Sequence, residues 1–345
     1  MREYTYLGVT VTSGISGGFK SMGDRMKEAN SVLGMIKFAA NRSGSRYVIG
    51  REGWKGMVVS KLMYGSGALV WYQNECNALE VMQNEMGRWV WQSGNVRNEL
   101  IRGETGWSSF EEREAKAMSD WLFRLIFKKD SISEIGNACL NEMRGNSRWW
   151  ARCRHICGKY GLDDLLNVTW LRDISVQGLM SLGLCLDSKK WKKETHEKIE
   201  SKGRDIWRRG FNRENMREQE YLEMKPQPMS VEYARYGAGA LVRLMVRGGC
   251  MQVRAEECMR WKYDCDKCVC GEIESESHVL FECMEYISER NAWRREWSKV
   301  AIDELDCIKG YLTEHMVLDK CTLKYLGAIW RKRLKLERNR TIIVP

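Results

Sequence analysis

Apolar residues recur along this chain at spacings of three and four far more often than they alternate. Between residues 20 and 41, Met22, Met26, Ala29, Leu33 and Ile36 fall on one face, which predicts a helix. Residues 54–71 read as a second, buried helix bearing Met57, Val58, Lys61, Leu62, Tyr64 and Leu69, and residues 76–91 as a third with Leu79, Met82, Met86 and Trp89. Ser108 or Ser109 offers an N-cap for a helix whose first turn is acidic. Residues 233–247 carry Ala238, Leu241, Val242 and Met245 on an apolar face, and Gly248-Gly249 stops that helix. Two or three more helices follow Cys283. The exception is residues 4–11, a β-rich run ended by the turn signals Ser13-Gly14 and Gly17-Gly18. A lone strand is marginal. The expectation is a mainly α chain with a short N-terminal β-hairpin or strand.

Composition sharpens this in three ways. Only three prolines interrupt 345 residues rich in Met, Leu, Glu, Lys and Arg, which favours helix. The net charge of +10 suits a polyanionic partner. Thirteen cysteines are an odd number, and Cys139, Cys185, Cys307 and Cys321 sit in helical contexts. With no signal peptide or transmembrane span legible, mostly free thiols in an intracellular compartment, nuclear or cytoplasmic, are expected. Lys225-Pro226-Gln227-Pro228 is the best candidate break in the chain.

The most specific chemistry lies at Cys268-Val269-Cys270-Gly271 with His278 and Cys283, a C-x-C-x7-H-x4-C pattern. Three thiols and an imidazole so close in sequence suit a closed, tetrahedral zinc site that orders its own segment. Val279-Leu280-Phe281 supplies an apolar face behind His278. Cys265 and Cys268 also make a good zinc pair, so five donors compete for four positions.

Tyr6-Leu7-Gly8-Val9, then Lys61-Leu62-Met63-Tyr64-Gly65 leading to Trp71, then the Leu79/Met82 helix, resemble in order the reverse transcriptases of non-LTR, LINE-type retrotransposons. Leu241-Val242-Arg243-Leu244, Arg247-Gly248-Gly249 and Arg260-Trp261 before the cysteine cluster resemble the tail of the same family. The resemblance is specific at residues 4–91 and 241–283. It implies a primer grip at Tyr6, Leu7 and Gly8 with a thumb over residues 1–95, a basic helical connector over 96–225, and a C-terminal helical region over 226–345 holding a zinc knuckle at 265–283. It also selects Cys268, Cys270, His278 and Cys283 as the ligands, because Cys270-Gly271-Glu272 sits where the family has its second cysteine. Two-metal nucleotidyl transfer needs palm carboxylates, and in that family these precede the tyrosine-leucine-glycine hairpin. The chain is therefore expected to lack polymerase activity alone and to work with a palm and fingers portion.

The implied partner is nucleic acid: RNA, an RNA/DNA duplex or target DNA. Residues 189–217 interleave Lys189, Lys190, Lys192, Lys193, Arg208, Arg209 and Arg213 with Trp191, Trp207 and Phe211, a pattern that suits either phosphate contact and stacking or a solvated helix face. Lys61, Arg247, Arg260, Lys262 and Lys267 are further candidate contacts. Tyr160-Gly161-Leu162-Asp163-Asp164 has one residue too many for the family's aromatic-x-Asp-Asp, and a helix cap is the better account. Cys153 and Cys157 share a helix face that His155 does not, which argues against a second metal site. Two competing functions are a zinc-binding protein-interaction adaptor and an endonuclease remnant, the latter having only scattered Asp303, Glu304, Asp306 and Asp319 to offer.

Overall fold

A computed structural model describes residues 3–6, 9–12, 21–43, 45–92, 94, 96–127, 148–163, 187–231, 233, 237–255, 265–297, 303–309 and 316–343. Within them the chain is mainly helical. At the N-terminus β1 (Glu3–Tyr6) and β2 (Val9–Thr12) pair antiparallel, Glu3 opposite Thr12 and Tyr6 opposite Val9. Leu7 and Gly8 lie outside the described residues.

The chain packs as two units, each assembled from non-contiguous stretches: residues 1–39, 52–85 and 108–210 in the first, and 40–51, 86–107 and 211–345 in the second. This differs from the three consecutive segments expected above. The break expected at 225–228 falls inside the second unit, where Lys225 is buried. Its Nζ donates to the Met229 carbonyl at 2.7 Å, and Met229 N–H donates to the Gly103 carbonyl at 3.0 Å. Pinned backbone of this kind makes a poor linker.

α1 (Ser21–Arg42), which passes from the first unit into the second at residue 40, buries Met22, Ala29, Leu33 and Ile36 as the periodicity requires. The helix expected at 54–71 is displaced. It begins as α2 (Arg46–Gly53), widens into a π-helical turn at Trp54–Val59, and closes with Ser60–Leu62 before turning at Gly65, whose φ is +69°. A π-turn takes up an extra residue and rotates the face that follows. Trp54, Val58 and Leu62 point inward as a result, while Met57 and Tyr64 are 52% and 49% exposed. α3 (Gln73–Trp91) buries Leu79, Met82 and Met86.

α5 (Phe110–Phe127), which follows α4 (Asn98–Thr105), is capped by Ser109. The Ser109 Oγ accepts from Glu112 N–H at 3.1 Å, and Glu111 and Glu112 add favourable charge to the first turn. α6 (Arg148–Tyr160) buries Cys153 and Cys157 and leaves His155 exposed. α7 (Ser188–Arg209) packs on α5 and α6 through a stripe at strict four-residue spacing: Trp191, Thr195, Ile199, Gly203 and Trp207. Trp191 and Trp207 are therefore core residues and do not alternate with the lysines as stacking platforms; Phe211, buried in the second unit, is core as well.

In the second unit, α8 (Met216–Met224) starts at Asn215, whose side chain accepts from Arg217 and Glu218 N–H groups. α9 (Ala238–Arg247) ends at Gly248-Gly249, with Gly249 at φ +56°. α10 (Ile287–Trp297), α11 (Glu304–Lys309) and α12 (Met316–Ile343) complete it. α9 approaches α12 so closely that a Cβ on Gly239 would meet the Leu323 carbonyl oxygen at 1.9 Å. The fully buried Glu104 accepts from Tyr233 Oη at 2.6 Å and Tyr221 Oη at 2.9 Å, and is ion-paired with an Arg247 guanidinium nitrogen at 3.2 Å. Burial alone would raise the Glu104 carboxyl, but Arg247, Lys225 and the two tyrosines together hold it below the usual carboxylate range. Arg247 is thus an interior ion-pair partner, not a surface contact for phosphate.

Candidate metal centre

Residues 266–274 fold back on themselves as a tight hairpin. Lys267 and Ile273 form an antiparallel bridge, Cys268 N–H donates to the Glu272 carbonyl at 2.7 Å, and Glu274 N–H donates to Asp266 at 2.9 Å. The tip requires glycine: Gly271 has φ +100°, where a side chain is strained, and its N–H donates to the Cys268 carbonyl at 3.0 Å. Ser275 then starts a wide turn, its Oγ accepting from His278 N–H at 3.1 Å. The π-helical turn His278–Glu282 closes with Cys283 N–H donating to the His278 carbonyl at 2.8 Å.

These two local folds bring Cys268, Cys270, His278 and Cys283 together, with all four ligand atoms within 4.8 Å of one another. Cys268 Sγ lies 3.7 Å from Cys283 Sγ, and Cys270 Sγ lies 3.2 Å from His278 Nε2. Tetrahedral zinc with bonds of ~2.3 Å to sulfur separates its ligands by ~3.8 Å, so the cluster has the size and donor set of a zinc site. Cys265 is not among the converging four. Burial pushes the Cys268 thiol up to about 12 and raises Cys283 as well. Two such thiols become thiolates near neutral pH only beside a strong positive charge, which a divalent cation supplies. The cluster can hold a metal ion and is compatible with zinc.

What holds this loop in place lies elsewhere in the chain. Arg290 on α10 donates to the carbonyls of Leu280 at 3.3 Å and Cys283 at 2.8 Å, and Tyr325 Oη on α12 donates to Leu280 at 2.5 Å. Tyr325 stacks on Trp293 with centroids 4.5 Å apart. On the hairpin side Glu274, 1% exposed, accepts two bonds from Arg333 at 3.0 and 2.5 Å and one from Arg254 N–H at 3.2 Å. Arg254 is in turn paired bidentately with Glu337. Val279 and Leu280 are buried, as expected of the apolar face behind His278. Glu274, Arg290, Tyr325 and Arg333 escaped the sequence reading because each is a common residue type and their partners are up to 59 positions away.

The candidate nucleic-acid contacts distribute unevenly. Lys189, Lys193 and Arg213 are exposed, as are Arg208, Arg209 and Lys267. Lys190 pairs with Glu194 at 3.9 Å, Lys192 with Asp120 at 3.1 Å, and Lys61 with Glu28. α7 carries nine basic and four acidic side chains, so it supplies half of the chain's excess positive charge. Between α6 and α7 a groove of about 550 Å³ is lined by Lys159, Lys202, Ile206, Arg209 and Gly210. Tyr6 ends β1, while Arg260 and Lys262 lie outside the described residues.

Three of the four acidic residues offered for an endonuclease are engaged structurally: Asp303 caps α11, Glu304 pairs with Arg294 at 2.6 Å, and Asp319 with Arg243 at 2.5 Å. The ten cysteines among the described residues are all free thiols. Among these residues no helix is long and apolar enough to cross a membrane. Comparison with protein-family models, with curated proteins and with solved structures found no match.

Proposed function

We propose that this chain is a nucleic-acid-binding protein whose knuckle is organised by one structural zinc ion. The observation that carries the nucleic-acid reading is the division of α7. Its apolar stripe faces the core, which leaves Lys189, Lys193, Lys202, Arg208 and Arg209 toward solvent, with Lys202 and Arg209 lining the groove. Binding would rest on phosphate contacts, which orient the polyanion and carry no sequence information. The zinc, bound by Cys268, Cys270, His278 and Cys283, would neutralise buried thiolates and fix the hairpin, and the closed donor set leaves no open position for catalysis.

The residues that resemble LINE-type reverse transcriptases extend this reading. In it the chain is a C-terminal portion of such a protein, with Tyr6, Leu7 and Gly8 as primer grip, a thumb and basic connector tracking the primer–template, and a palm and fingers portion as its partner. On this account the chain alone incorporates no nucleotides; template-dependent synthesis by the purified protein would refute it.

The direct test is fluorescence anisotropy with a labelled single-stranded RNA and an RNA/DNA duplex at two salt concentrations. Neutralising about four phosphates would weaken binding on the order of a hundredfold between 50 and 200 mM salt. Lys193→Gln with Lys202→Gln and Arg209→Gln should flatten that dependence. Binding that is absent, or indifferent to both salt and these substitutions, would sink the reading. A second reading, a protein-interaction adaptor, draws on exposed Ile273, Met284 and Ile287 at the knuckle. Salt-insensitive capture of a protein partner, without RNA affinity, would favour it.

A further inference from the structure

A second polar feature of the second unit lies apart from the metal ligands. A cleft of about 320 Å³ opens where α1 ends, α2 begins and α3 ends, against the first turn of α9. Its polar lining includes Asn41, Ser43, Ser45, Arg46 and Gln92, and among the described residues no carboxylate lines it. Two buried donors belong to this lining and have no acceptor among the described residues: Arg46 Nε and the indole Nε1–H of Trp91, which is 3% exposed. Buried donors without partners are costly, about 1–3 kcal/mol each, and call for an explanation.

Arg46 is the more telling of the two. Its guanidinium carbon lies 3.9 Å from the centroid of the Trp89 ring, and the residue is half-buried. Burial lowers its proton affinity, and no carboxylate among the described residues offsets that loss. The ion pairs elsewhere in this unit, Arg247 with Glu104 and Arg333 with Glu274, show how the fold otherwise treats a buried arginine. Ser45 adds a helix start: its Oγ accepts from Val48 N–H at 3.4 Å, so the positive end of α2 falls at the cleft. Gln92, which also lines the cleft, is the one described non-glycine residue with positive φ, at +54°. Backbone in that region is uncommon outside glycine and is often found where a ligand is gripped.

We propose that this cleft is an oxyanion site, in which Arg46 and the Trp91 indole hold a phosphate-type group. The volume suits phosphate, pyrophosphate or a single backbone phosphate, and is too small for a folded partner. The site does not depend on the nucleic-acid reading of α7, which is in the other unit.

The experiment uses the full chain and follows thermal unfolding against inorganic phosphate and pyrophosphate, with chloride at matched ionic strength as control. Saturable stabilisation by phosphate and not by chloride is expected. Arg46→Gln should weaken the apparent affinity about tenfold or more, because hydrogen bonds to charged groups are the strong ones. Trp91→Phe keeps an aromatic side chain but loses the N–H together with the five-membered ring of the indole; with its fold checked in the same melting curves, it should bind a few-fold more weakly. A competition arm separates the two sources of phosphate: displacement of a labelled oligonucleotide by pyrophosphate in the wild type, absent in Arg46→Gln, assigns the site to a nucleic-acid backbone. Phosphate binding lost in Arg46→Gln with oligonucleotide affinity unchanged assigns it to a free anion. No saturable response in the wild type, or equal responses in both variants, overturns the proposal.

Discussion

Arg333→Met removes the cation that clasps the metal hairpin to α12, and the geometry sets the size of the effect. Glu274 is 1% exposed, and three of its hydrogen bonds come from two donors, Arg333 and the backbone of Arg254. Deleting one partner of a buried pair strands the other, at a cost of about 3–5 kcal/mol. Because Arg254 N–H remains, the lower figure applies, about 3 kcal/mol, a large share of the ~5–15 kcal/mol that stabilises a typical domain. Glu274→Gln added to Arg333→Met leaves a neutral amide and should recover more than half of the loss. Urea unfolding of the zinc-loaded wild type, both single variants and the double variant closes the cycle. Additive effects with no coupling would refute the clasp. Arg333→Met should also release metal to a chelator faster, while Lys332→Met, whose partner Glu289 is on α10, should not.

Other expectations follow from the same contacts. Gly239→Ala would force a Cβ to within 1.9 Å of the Leu323 carbonyl, so α9 and α12 must separate; a loss of at least ~1–3 kcal/mol is expected in denaturant titrations. Glu104 has a folded-state pKa below its unfolded value, so its contribution is present above the unfolded value of ~4.3 and is lost as pH falls through the folded one. Glu104→Gln should therefore be less stable than wild type at pH 7 and converge on it in acid; parallel pH profiles would count against the network. Burial lowers Lys225 to about 8, so the folded state sheds that proton before the unfolded one does. Stability from this group should rise between pH ~8 and ~10.4, a rise that Lys225→Met removes from the difference curve.

Legibility in the sequence followed the range of the interactions. α1, the Ser109 cap and the Gly248-Gly249 stop are set by neighbours within a turn or two, and they lie where residue spacing places them. The four metal donors fall within sixteen residues, so their convergence is also a local event. The π-turn at Trp54–Val59 has no such signature, and it moved Met57 and Tyr64 to the surface. On α7 the basic residues and tryptophans alternate in sequence, but 191, 195, 199, 203 and 207 define an inward stripe that is separate from the charges. Arg247 reads as a surface cation until Glu104, 143 positions earlier, is brought beside it. The same holds for Arg333 and Glu274, which no local pattern connects.

The central claim is that one metal ion organises the knuckle, and metal content of the purified full chain measures this most directly. Mass spectrometry under native conditions, with elemental analysis, should find one zinc per chain. It should fall to none in a Cys268→Ser, Cys283→Ser double variant and remain at one in Cys265→Ser. A wild-type chain that binds no zinc, or a double variant that keeps it, would contradict the account.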